Sequence, residues 1–112
     1  MSGRFTYLDL LPDDKMLPRY AKAWGELGAN RDVWRRHGAL DYLTKPTLPL
    51  FLTINCTEGA EALHQMEVLQ KRLATLSSEF VFKMDNEPRG HKVTLDPDIL
   101  NSMNRYLKQR LN

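Results

Sequence analysis

A chain of 112 residues is sized for one domain, because two halves would each be too small to bury an adequate core. Its 42% hydrophobic and 27% charged residues are the mix of a folded globular protein and argue against a disordered chain. Sixteen Lys and Arg against fourteen Asp and Glu leave a formal charge of +2, too small to imply a polyanionic partner on its own.

No apolar run reaches the length of a membrane span; the longest, Leu48 to Ile54, is broken by Pro49. The opening Met1-Ser2-Gly3-Arg4-Phe5 lacks the apolar core of a signal peptide. A single cysteine, Cys56, excludes an internal disulfide framework. These features predict a cytoplasmic protein of a reducing compartment, without a membrane partner.

Residues 1–14 read as a short strand or an extended arm, with Phe5, Tyr7 and Asp9 alternating with Thr6, Leu8 and Leu10. Pro12-Asp13-Asp14 ends that segment. Leu17, Tyr20, Ala21, Trp24 and Leu27 follow the i, i+3, i+4, i+7 spacing of a helical face, which predicts a helix over 17–27. Pro18 suits its first turn, and Gly28 is placed to end it. Gly25 in the interior costs about 1 kcal/mol relative to alanine. Asn30 can cap a second short helix, Arg31 to His37, closed by Gly38, and Ala39 to Leu43 can add a turn. Residues 17–43 are thus expected to be helical.

Leu48 to Ile54 reads as a strand buried on both faces, with Pro49 near its start. The long segment that follows carries Ala62, Met66, Leu69, Leu73, Leu76 and Phe80 at alternating steps of four and three, one stripe of a helix. Asn55 or Thr57 is its expected cap; with Asn55, Glu58 takes the capping-box position. After Ser77-Ser78 the period becomes two: Phe80, Phe82 and Met84 oppose Val81, Lys83 and Asp85. The turn formers at 85–90 and the alternation of His91, Val93 and Leu95 predict a hairpin. Asp96-Pro97-Asp98 then signals a final helix whose apolar face is Ile99, Leu100, Met103, Tyr106, Leu107 and Leu111.

The order predicts an α+β fold in a single domain, 1–112. An N-terminal helical hairpin precedes a β-α-β-β-α unit over 48–112. A strand-helix-strand crossover leaves its strands parallel, so the expectation is a small three-stranded mixed sheet covered by two long helices.

No catalytic set, cofactor motif or metal-ligand pair emerges. Cys56 stands at a strand-to-helix junction, where a thiol can be activated, but His37, His64 and His91 are scattered and a lone cysteine is commonly a small buried hydrophobe. Asp96 and Asp98 are accounted for by helix capping. Glu58-Gly59-Ala60-Glu61 puts acids where a phosphate would need amides. The chain is therefore read as non-catalytic.

The distinctive feature is the stretch from Lys15 to His37. It holds Lys15, Arg19, Lys22, Arg31, Arg35 and Arg36 interleaved with Tyr20, Trp24 and Trp34, against the acids Glu26 and Asp32. Arg19, Lys22, Arg31, Arg35 and Arg36 are the candidate binding residues. Two helices joined across residues 27–30 have the outline of a helix-turn-helix, but Trp24 stands where a small residue would let the helices approach. Leu27-Gly28, then six residues, then Arg35-Arg36-His37-Gly38-Ala39-Leu40 resembles a stretch near the N-terminus of the psi subunit of bacterial DNA polymerase III. The resemblance covers fourteen residues, and His37 stands where that family has proline; it implies no function by itself. The expected function is protein–protein association, as an adaptor, an inhibitor or a subunit of a larger assembly, with a mobile element as an expected source. A homodimer through an exposed helix or sheet edge fits the same reading. The alternative is a nucleic-acid-binding accessory protein using the basic segment 15–37.

Overall fold

The computed structural model describes residues 4–88 and 96–111. Within them the order is α1 (Leu17–Trp24), α2 (Arg31–Arg35), a 3-10 turn (Ala39–Tyr42), β1 (Leu50–Asn55), α3 (Ala60–Thr75), β2 (Phe80–Asp85) and α4 (Pro97–Leu111). β1 and β2 pair in parallel, with Leu50 opposite Phe80 and Asn55 opposite Asp85. Parallel neighbours need a crossover connection, and α3 supplies it.

This corrects the expected architecture. Among the described residues the sheet has two strands, both parallel, in place of a three-stranded mixed sheet covered by two long helices. The expected third strand, His91 to Leu95, lies outside the described residues. β1 is half-buried over residues 50–53, and burial is complete only at Ile54 and Asn55. The anticipated burial on both faces therefore fails over residues 50–53.

Local signals shift three boundaries. α1 stops at Trp24 because Gly25 adopts φ +80°, a conformation open to glycine, so the helix ends three residues short of the expected Leu27. α2 is five residues long and stops short of His37. α3 begins at Ala60, not at Asn55 or Thr57, because Asn55 is used elsewhere: its Oδ1 accepts the Thr57 N–H at 3.0 Å and its Nδ2 donates to Asp85. By contrast, α4 starts at Pro97, and the Asp96 side chain accepts the Asp98 N–H at 3.2 Å.

Among the described residues the core is small: Trp34, Leu40, Ile54, Met66, Leu73, Ile99 and Tyr106. Leu73 and Met66 belong to the α3 stripe. Gln65, beside them, is equally inaccessible and fastens residues 5–9 to α3. That segment forms no strand and lies as an arm along the helix. α4 docks beside β1, with the rings of Tyr106 and Phe51 6.0 Å apart. Tyr106 donates to Glu79 at 3.2 Å, and Arg110 Nε donates to both Glu79 oxygens at 2.8 Å. The Arg110 hydrogen bond, joined by its charge and the Tyr106 O–H, holds the Glu79 carboxyl below its ordinary value.

Candidate interaction surface

The surface of interest is built where the arm, α1 and the α1–α2 connection meet. Asp14 N–H donates to Leu11 O at 3.0 Å, so Leu11 to Asp14 forms a tight turn. The buried Asp14 carboxylate then takes Arg4 in a two-point pair, Nε at 2.9 Å and Nη2 at 2.7 Å, and accepts the Met16 N–H at 3.0 Å. Burial works to raise the Asp14 carboxyl, but Arg4 and the Met16 N–H outweigh it and hold the group below its ordinary value. α1 leaves this turn with Pro18 in its opening turn.

One face of α1 joins an aromatic cluster. Trp24 is sandwiched between Tyr20 (5.0 Å, 4° between planes) and His37 (4.1 Å, 10°). Tyr7 of the arm meets Tyr20 and Trp24 edge-on at 5.2 Å, and Trp34 meets Trp24 edge-on at 5.3 Å. The rings therefore satisfy one another and pin arm, α1 and α2 together. Trp34 also donates its indole N–H to Gly25 O at 3.0 Å, which ties α2 to the turn that ends α1.

Beside this cluster runs an open groove of about 600 Å³, walled by Pro12, Leu17, Pro18, Ala21, Leu27 and Trp34. Trp34, 1% exposed, forms its base. Asp13, Lys15 and Glu26 stand on its rim, all exposed, while Asp14 is held by Arg4. Sequence periodicity did not reveal this groove. Its apolar walls come from a turn, a helix and a connection that meet only in three dimensions.

The five basic candidates are all exposed. Arg19 and Lys22 lie three apart on α1; Arg31 and Arg35 lie on α2, and Arg36 follows it. Arg35 is engaged, with its guanidinium 4.9 Å over the Tyr42 ring and Nη2 donating to Asp41 O at 3.4 Å. Among the described residues, the side chains of Arg19, Lys22, Arg31 and Arg36 form no ion pair or hydrogen bond. They are cations available to a partner. The helix-turn-helix reading gains nothing here: a five-residue α2 spans about 7.5 Å, too little to track a groove of duplex DNA.

The other candidates are placed apart from this surface. Cys56 follows β1 and is half-buried, its N–H donating to Asp85 O at 2.9 Å. His37 is taken up by Trp24, and His64 Nε2 lies 3.0 Å from Asp9 Oδ1, so each described imidazole has its own partner. His91 lies outside the described residues. At the carboxyl ends of the two strands, where parallel sheets commonly hold ligands, Asn55 Nδ2 donates to the buried Asp85 at 2.9 Å. Glu58, whose N–H donates to Asn55 O at 3.2 Å, adds an acid at that end, which disfavours a phosphate. No group of three or more potential metal ligands occurs among the described residues, and no described helix is long and apolar enough to cross a membrane.

Comparison with protein-family models, with characterised proteins and with solved structures returned no match, so the fourteen-residue likeness to the psi subunit is not extended.

Proposed function

We propose that this protein is a small non-catalytic association module of the cytoplasm that binds another protein through the groove beside α1. The observation that carries the reading is the groove itself: open, walled by apolar side chains, and close in the chain to Arg19, Lys22, Arg31 and Arg36, exposed cations without an ion pair among the described residues. Apolar walls suit an inserted side chain, since a few buried anchors dominate the energetics of protein interfaces.

Ala21 is the place to test this. It is exposed on α1 and lines the groove, so Ala21→Trp fills the space from a surface position. A partner isolated from the source cells, identified and purified, should bind the native chain saturably. It should bind Ala21→Trp about tenfold or more weakly, the loss of one good anchor, with the melting temperature preserved. Equal binding by both proteins would remove the groove from the interface. Size-exclusion chromatography with light scattering, with and without a short DNA duplex, addresses the nucleic-acid alternative; a stable complex with the duplex would favour it.

A further inference from the structure

We propose that β2 pairs antiparallel with β2 of a second copy of this chain, joining the two small sheets into one across a two-fold axis at Val81. The surface is separate from the groove, and the inference goes beyond the docking role proposed there.

The backbone decides which edge is open. Leu50 N–H donates to Glu79 O at 3.1 Å and Cys56 N–H to Asp85 O at 2.9 Å, with the parallel ladder in register between them. Hydrogen-bonding groups alternate along a strand, so those of Glu79, Val81, Lys83 and Asp85 address β1. Phe80, Phe82 and Met84 therefore turn their N–H and C=O groups the other way, where no described strand pairs with them. No residue of β1 is exposed, whereas Lys83 and Met84 of β2 are. The edge that reaches the surface is that of β2, and such an edge is a template for another strand.

Charge selects β2 itself as the occupant, in one register. Two copies related by a two-fold axis meet in few registers, each defined by the residue on the axis. With Lys83 on the axis, the two lysines oppose each other. With Phe82 there, Glu79 opposes Asp85 of the second copy. With Phe80 there, Lys83 lies beyond the start of the second copy's strand. With Val81 there, Glu79 opposes Lys83 on both sides of the axis, Val81 meets Val81, and Phe80 meets Phe82. Opposite charges and aromatic pairs across strands are favourable, and like charges are not. Phe80 and Phe82 then exchange both backbone bonds. Lys83 makes no ion pair among the described residues. The Glu79 side chain, 47% exposed, already receives Arg110 and Tyr106, and a carboxylate has lone pairs for a further donor.

The contact is isologous, so it consumes both edges and stops at two chains. Sedimentation equilibrium on the full chain, from micromolar to millimolar concentration, should rise from the 13.0 kDa monomer mass to twice that and no further. Lys83→Glu should weaken association about tenfold with an unchanged melting temperature, because two attractive pairs become repulsive. Adding Glu79→Lys chains should restore pairing, since every lysine then faces a glutamate. Glu79→Lys also gives up the Arg110 contact, so cysteine cross-linking in a Cys56→Ser background reads the register independently. The two Val81 Cα atoms would lie about 4.5 Å apart in a pair of this type, within disulfide reach. Oxidised glutathione should link Val81→Cys into a dimer far faster than Lys83→Cys, whose counterpart is Glu79.

A native chain that stays monomeric across the range would overturn the proposal, as would growth past two chains. Lys83→Glu associating like the native protein, or equal linking at positions 81 and 83, would do the same. Ala21→Trp should dimerise like the native chain; a loss there would move the contact to the groove and overturn the pairing. The groove reading stands or falls separately, on whether Ala21→Trp weakens its own partner.

Discussion

Gln65 shows how much one amide can hold. Its Oε1 accepts the N–H groups of Phe5 at 2.8 Å and Thr6 at 3.1 Å, and its Nε2 donates to Asp9 O and Glu61 Oε1, both at 3.1 Å. All four positions of the amide are used in a fully buried site. Gln65→Leu leaves two arm N–H groups without acceptors and should destabilise by about 2–4 kcal/mol in urea unfolding; a loss under about 1 kcal/mol would mean that the arm is not docked. Asp14 makes a second claim at this scale. Its folded pKa lies below the ordinary value, so the unfolded chain binds a proton first as pH falls. Its contribution is therefore complete above the ordinary carboxylate range and disappears as pH drops through the lower, folded value. Asp14→Asn should destabilise at neutral pH by about 1–3 kcal/mol through the weakened Arg4 pair. Comparing urea midpoints near pH 7 and pH 3 checks it: the gap between native and variant should shrink at the acid end.

At the scale of elements, the end of α3 is built with an unusual residue. Ser78 N–H donates to Leu73 O at 2.9 Å and Ser77 N–H to Ala74 O at 3.0 Å, the paired bonds of a Schellman motif. The position that requires a left-handed backbone is Ser77, at φ +58°, where glycine is the common choice. Ser77→Gly should stabilise the protein by about 0.5–1 kcal/mol, the side-chain strain relieved less the extra unfolded-chain entropy; a lower melting temperature would show that the Ser77 side chain contributes something glycine cannot. Elements with self-contained signals were the legible ones. Asp96-Pro97-Asp98 marks the start of α4 because cap, proline and first-turn acid all act within one turn. The start of α3 was hidden because Asn55, a good cap by type, is spent on Asp85 thirty residues away. The end of α1 was misplaced because two glycines compete, and the Trp34 bond to Gly25 O favours the earlier one. The five basic candidates were identifiable as an exposed set from charge alone. The groove was not, since Pro12, Leu17, Leu27 and Trp34 share no periodicity.

The whole molecule is flat, 46 × 33 × 16 Å, with a radius of gyration of 15.8 Å against about 13 Å for a compact chain of this length. Among the described residues the sheet has two strands and the buried set is small. Whether the molecule's surface meets protein or nucleic acid turns on its charge. Arg35 and Arg36 are both exposed, and reversing both to glutamate moves the net charge from +2 to −2. The fold should survive, at the modest expense of the Arg35 position over Tyr42. If these arginines neutralised phosphates, binding to a duplex would fall steeply with salt, because each contact releases counterions. We expect otherwise: the native chain should bind a short duplex weakly at physiological salt, since the basic run is brief and α2 too short to enter a groove. The double reversal should instead weaken an acidic protein partner, chiefly by slowing association, as charges at an interface rim do. Fluorescence anisotropy with a labelled duplex across a salt series, beside association kinetics for the purified partner, separates the two. Micromolar or tighter duplex binding at physiological salt, lost in Arg35→Glu/Arg36→Glu, would reverse the assignment.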